Sequence, residues 1–148
     1  MAIRKAEERV LVAQFRDECR RRGLTFTHQR QVIYRVAVSM TEHPTPEAIY
    51  ERVRREIPSI SLATIYKNVK IFLDAGILRE VSLHHGSLRL DPNTAVHHHV
   101  VCSRCKTIVD LPEEAIEPVR VRGTLPLGFH VERHAVEIVG LCAKCARA

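Results

Sequence analysis

Two C-x-x-C pairs, Cys102/Cys105 and Cys142/Cys145, bracket a strand-rich stretch near the end of the chain. Each knuckle brings two sulfurs to a common point, and a tetrahedral zinc needs four, with Zn–S near ~2.3 Å. Four thiolates leave no open position for chemistry, so the ion would be structural. It would tie the first strand of the region to the end of the chain, a staple from which a small domain with a modest core benefits. Thioredoxin-like dithiols and unrelated core cysteines are the rival readings. The opening stretch MAIRKAEERVLVAQFRDECRR is charged throughout, unlike a secretory signal or a membrane span. A cytoplasmic protein is expected, in which paired C-x-x-C reads as metal before disulfide. The fifth cysteine, Cys19, reads as a small core residue.

The rest of the chain has a different character. Residues 1–85 hold 15 Lys/Arg against 10 Asp/Glu, while residues 86–148 hold 8 against 7, so most of the net charge of +6 lies in the first half. A basic half beside a neutral one suggests a polyanion-binding module joined to something else. Helices are expected over 4–22, closed by Gly23; from Thr27 to about Met40; and from Thr45, with Pro46 in the first turn, to about Ile57. Ser61 should cap a fourth, 62–75, closed by Gly76. Its apolar set Leu62, Ile65, Val69, Phe72 and Leu73 leaves Thr64, Tyr66, Lys67, Asn68 and Lys70 outward. ILREVSLHHGSLRLD reads as a β-hairpin about Gly86. Together these make a winged helix-turn-helix over residues 1–85, with a generic helical bundle as the alternative. Residues 86–148 form a second, smaller α/β unit: strands at VHHHVVC and KTIVDL, a short irregular helix at PEEAIEPVRVRG, and a long alternating strand at GFHVERHAVEIVGLC. The expected class is α+β.

Three histidines precede the first knuckle in VHHHVVC. Side chains alternate along a strand, so His97 and His99 share one face while His98 and Cys102 share the other. The stretch therefore serves two metals more naturally than one. Two imidazoles need oxygen ligands nearby, and Asp91 and Asp110 are candidates; such a set suits Fe(II), Mn(II) or Zn(II) rather than soft thiophiles. On spacing alone a solvated strand face accounts for the histidines equally well.

The ordered series RGLTFTHQR, HPTPEAIY, SLATIYKNVKIFLDAGIL, RLD, HHHVVCSRC, IVDLP and LCAKC resembles the ferric uptake regulator superfamily over nearly the whole chain. The resemblance implies an N-terminal winged helix-turn-helix followed by a C-terminal α/β dimerisation domain. It implies a homodimeric, metal-dependent transcriptional repressor and not an enzyme. In the peroxide-sensing branch three histidines and two aspartates hold the regulatory metal, and the matching positions here are His43, Asp91, His97, His99 and Asp110. The iron-responsive branch tends to carry Glu where Asp91 and Asp110 stand, so the chain resembles the peroxide sensors more closely. The implied mechanism is that Fe(II) at this site meets hydrogen peroxide, and the resulting oxidant adds an oxygen atom to His43 or His97. Mn(II) would hold the same site without sensing. A further site of some iron regulators would fall on Val96, His98, Asp110 and His134, but Val96 cannot ligate.

By the same resemblance 62–75 is the recognition helix, with Tyr66 on a thymine methyl and Lys67 at base edges or phosphate of an AT-rich palindromic operator. Thr64, Lys70, Arg30 and the run Arg20–Arg22 are further candidates for DNA contact. Thr25 stands where some members carry a basic residue for the minor groove. His28, His84, His85, His98, His130 and His134 are taken as surface or structural. The nearest alternative is an iron- or zinc-responsive regulator of the same fold. A hydrolytic zinc enzyme built on His97 and His99 would want a dedicated base, and no H-E-x-x-H signature is present.

Overall fold

A computed structural model describes residues 5–81 and 86–147. These fall into two compact units, Met1–Thr94 and Ala95–Ala148. The first unit holds α1 (Lys5–Arg21), α2 (His28–Ser39), α3 (Pro46–Val53) and α4 (Leu62–Asp74), then β1 (Arg79–Val81) and β2 (Arg89–Asp91). The three expected caps form: Thr27 accepts from the Arg30 N–H, Thr45 from Ala48 and Ser61 from Thr64. Gly23 and Gly76 end α1 and α4 at φ 67 and 66, and in each case the next N–H reaches back five residues, to Cys19 and Phe72. Such left-handed endings favour glycine because any residue with a Cβ is strained at that φ.

All four helices contribute to one core. Phe15 stacks on Tyr34 at 4.4 Å and meets the edge of Phe72 at 5.5 Å. Cys19, Ile33, Ile49, Ile65 and Val69 fill the space around them. Asn68, expected outward, is instead buried, and Leu62, expected inward, is exposed. Leu62 is the first residue of α4 and lies beyond the core. Asn68 is accepted inside because its amide is satisfied, donating to the Thr64 carbonyl at 2.8 Å and accepting from Arg30 Nε at 3.2 Å.

β1 and β2 pair antiparallel, with Arg79 opposite Asp91. This pairing keeps β2 with β1 in the first compact unit, which ends at Thr94. The middle of the expected hairpin, with His84 and His85, lies outside the described residues.

The second unit is a sheet of order β4-β3-β5 built from β3 (His97–Cys102), β4 (Ile108–Pro112) and β5 (Glu137–Gly140). β3 runs antiparallel to β4 and parallel to β5. A single 3-10 turn, Glu113–Ala115, stands where a short irregular helix was expected, and α5 (Ala143–Ala146) closes the described chain. The long strand expected over 128–142 is reduced to Glu137–Gly140. β3 offers β5 only His99–Cys102 as register partners. Just before them the Val136 N–H donates to the His98 ring at 3.1 Å, and Phe129 follows two left-handed residues, Leu127 and Gly128. Alternating apolar residues make a strand only where a neighbour supplies hydrogen bonds.

Candidate metal centres

In the second unit β3 delivers Cys102 into a tight turn in which the Lys106 N–H donates to the Cys102 carbonyl at 2.9 Å. Lys106 takes φ 61 there. Cys142 caps α5 and Cys145 sits within it, while Arg104 holds the Cys145 carbonyl at 2.6 Å. The sulfurs of Cys102, Cys105, Cys142 and Cys145 lie within 4.8 Å of one another. Cys105 Sγ and Cys142 Sγ are 3.8 Å apart, which matches the edge, about 3.8 Å, of a tetrahedron with Zn–S near 2.3 Å. The donor set fits zinc. The Cys142 N–H, 3.4 Å from Cys102 Sγ, is the first cause holding that thiol down at about 6. The Thr107 hydroxyl at 3.2 Å lowers Cys105. Cys145, hydrogen-bonded to Cys142 and crowded by the other thiols, is pushed up to about 12. Four sulfurs this close cannot all ionise unless a cation sits among them.

On the opposite face of β3 the expected alternation holds. His97 Nε2 and His99 Nε2 stand 3.1 Å apart. Asp110 is the register partner of His99 across β4, and its Oδ1 lies 3.5 Å from His99 Nε2 and 3.7 Å from His97 Nε2. His97 Nδ1 is 2.9 Å from the Ala95 carbonyl, which can only accept, so the proton is on Nδ1 and the lone pair of Nε2 points at the other two donors. Octahedral edges for metal–ligand bonds of about 2.1 Å are close to 3.0 Å, so small shifts would bring the three atoms onto one ion. His98 faces away: its Nδ1 accepts from the Val136 N–H, and its ring lies 6.4 Å from that of His134.

The first unit carries its own pair. His43 Nε2 lies 3.8 Å from Asp91 Oδ2, and both side chains are almost wholly buried. His43 sits in the turn before α3 with φ 49, a left-handed conformation that costs a non-glycine residue about 1–3 kcal/mol. Arg89 Nη1 donates to the His43 carbonyl at 3.3 Å, and the Leu90 N–H to the Pro44 carbonyl at 3.0 Å. A buried imidazole beside a buried carboxylate suits a borderline divalent ion. Two contributors were missed from sequence. Arg89 was discoverable, since alternation puts it on the same face as Asp91. The Ala95 carbonyl was not, because a main-chain acceptor leaves no mark in residue type.

On α4, Tyr66 and Lys67 are exposed. The Tyr66 hydroxyl donates to the Glu47 carboxylate, which is thereby held below the usual carboxylate range while the phenol is pushed up. Thr64 shares a contact of 2.9 Å with the Ser61 hydroxyl, and Lys70 bonds Asp74 at 3.0 Å. Arg30 is partly committed, donating to Asn68 and, at 2.6 Å, to the Thr25 carbonyl. In the arginine run, Arg21 and Arg22 both bond Glu18, and Arg22 also holds the Ala75 carbonyl at the end of α4.

Among known proteins, the peroxide-responsive repressor PerR of Staphylococcus epidermidis is 38% identical over 126 residues, covering 85% of this chain and 84% of the relative. The solved structure of PerR from Streptococcus pyogenes, described as the basis for peroxide sensing and gene regulation, is 27% identical with a TM-score of 0.52, covering 91% and 92% of the two chains. The Helicobacter pylori ferric uptake regulator, at 15% identity, shares the fold with a TM-score of 0.70 over 95% of each chain. The model of the ferric uptake regulator family matches residues 21–139. The chain, an N-terminal helical DNA-binding domain followed by a C-terminal sheet domain with a zinc-type cysteine site and a His/Asp regulatory site, belongs to the ferric uptake regulator family of metal-responsive regulators.

Proposed function

We propose that this chain is a metal-dependent repressor that senses hydrogen peroxide through oxidation of a ligating histidine. The observation that carries the reading is the donor chemistry of the two half-sites, His43 with Asp91 and His97 with His99 and Asp110. Every oxygen donor is an aspartate, whose short side chain gives less reach for rearrangement than glutamate. The similarity to PerR supports the same reading. His43, Asp91, His97, His99 and Asp110 would serve as ligands of a regulatory Fe(II) or Mn(II), and Cys102, Cys105, Cys142 and Cys145 of a structural zinc. Iron(II) held by the histidines and aspartates would supply the electrons that split hydrogen peroxide, whereas manganese(II) is harder to oxidise. One peroxide oxygen would leave as water while the other replaces a ring C–H bond of His43 or His97 by a C–O bond, and a ring so altered is a poorer ligand.

The chain works as a homodimer through its sheet domains, each protomer presenting α4 to an AT-rich palindrome. Tyr66 meets a thymine methyl and Lys67 base edges or phosphate, while Thr64, Lys70 and Arg30 set the register. Two recognition helices on half-sites one turn apart must be spaced by about 34–36 Å. The test is peroxide treatment of the Fe(II) and Mn(II) forms, followed by operator binding and peptide mass spectrometry. The iron form should lose operator binding and gain one oxygen on His43 or His97. Equal survival of both forms would indicate an iron- or zinc-responsive regulator instead.

A further inference from the structure

Three consecutive residues of β2 act on one turn. Arg89 holds the His43 carbonyl at 3.3 Å, Leu90 holds the Pro44 carbonyl at 3.0 Å, and Asp91 brings its carboxylate to 3.8 Å from the His43 ring. The first two contacts act on the backbone and the third on the side chain, so β2 addresses both the conformation of His43 and its partner.

The backbone of His43 needs such help. Its φ of 49 lies in the left-handed region, and the next residue is Pro44. A Cβ disfavours the first, and a following proline ring pushes its neighbour toward extended conformations. A residue stays in such a state only when its surroundings over-determine it. Downstream, Thr45 is fixed as the cap of α3 through the Ala48 N–H. At the His43 carbonyl itself, the hydrogen bond comes from Arg89.

We propose that Arg89 is a positioning residue for the regulatory metal: by gripping the His43 carbonyl it keeps that residue left-handed, so the imidazole faces Asp91 before an ion arrives. The inference rests on the reading of His43 and Asp91 as ligands. Arg89 acts through His43 and does not itself ligate. A guanidinium on the same strand face as a cation ligand would, by charge alone, weaken binding of a divalent ion. A clamp strengthens it. The two roles therefore predict opposite signs for one substitution.

The experiment uses the full chain with its structural zinc in place and no regulatory metal. Mn(II) is titrated in, and the unbound ion is read by its electron paramagnetic resonance signal. Arg89→Met should weaken Mn(II) binding about 10–100-fold, the range found when a group that orients a metal ligand is removed. Arg89→Lys, which keeps a cationic donor, should recover part of that loss. In a His43→Ala background, Arg89→Met should cost nothing more. Without Mn(II), the Leu90 amide should exchange its hydrogen faster in Arg89→Met than in the parent, a readout independent of any ion. Unchanged or tighter Mn(II) binding in Arg89→Met overturns the clamp, the tighter value being the mark of charge alone. An equal loss in the His43→Ala background also overturns it, because the damage would then not pass through His43. If His43→Ala by itself leaves Mn(II) binding untouched, the ligand assignment falls, which is a separate failure. Should Arg89→Met not fold, Arg89→Gln, with a neutral donor, is judged by the same outcomes.

Discussion

The helical unit and the sheet unit solve the problem of stability in different ways. In the first, side chains from four helices and from Leu78 and Leu90 close over Phe15 and Phe72 in one buried cluster. In the second, the buried apolar residues among those described are Val101, Cys102 and Ile108, and one of these is a candidate zinc ligand. Val109 and Val139 are each 57% exposed, and Leu141 is 51% exposed. The first unit is held by burial, while the second leaves apolar surface uncovered and gathers four thiols at its end. A unit this small, with so little core, depends on a staple. The division suits a regulator. Burial accounts for the unit that carries α4, whereas the unit that carries His97, His99 and Asp110 has little core of its own.

The largest effect that could break this comparison is loss of the zinc. Chelation, or Cys142→Ser, should unfold the sheet unit while α1–α4 keep their helical signal. Structural zinc contributes on the order of 10 kcal/mol of folding free energy in small metal-dependent domains. Amide exchange read residue by residue checks this: protection should vanish in β3–β5 and persist at Ile65–Phe72. Protection that survives chelation in β3 would mean the sheet stands on its own core. Next in size is Phe72→Ala, which should destabilise the helical unit by about 3–5 kcal/mol in urea unfolding, with zinc content unchanged. A loss below about 1 kcal/mol would show that the buried cluster is not what holds that unit.

What the sequence revealed follows the same division. Caps and apolar spacing are local signals, and Thr27, Thr45, Ser61, Gly23 and Gly76 all punctuate the helices where their chemistry requires. The thiol cluster was legible because ligand spacing is written in the chain, and the split of His97 and His99 from His98 because strands alternate. Failures came where a tertiary partner decides. Asn68 was read as outward because an amide seldom enters a core, yet Arg30 and the Thr64 carbonyl satisfy it. Residues 128–136 alternate like a strand but take no strand partner among the described residues, and only Val136 at their end bonds β3. The left-handed turn at His43 has a conflicting sequence signal, since histidine enters that region more often than most residues while the proline after it disfavours it.

A smaller effect sharpens the contrast on the surface. Val139→Asp places a charge on the exposed face of β5 without opening a cavity. If the uncovered residues of the sheet unit meet a second copy, sedimentation should show the population moving from dimer toward monomer, while urea unfolding of the helical unit stays within about 0.5 kcal/mol of the parent. An unchanged dimer would place the contact elsewhere.

The smallest expected effect falls at the start of α4. Ser61 Oγ accepts from the Thr64 N–H at 3.1 Å and meets the Thr64 hydroxyl at 2.9 Å. Ser61→Ala removes one cap and should cost about 1 kcal/mol. Because the buried cluster holds the rest of α4, fraying should stop within the first turn, before Ile65. Zinc content and the Mn(II) titration should be unaffected, since Ser61 bonds Thr64 and none of the candidate ligands. Faster amide exchange confined to residues 62–64 bears this out. Exchange that spreads to Phe72 would show that α4 depends on its cap, and that the helical unit is less self-sufficient than its core suggests.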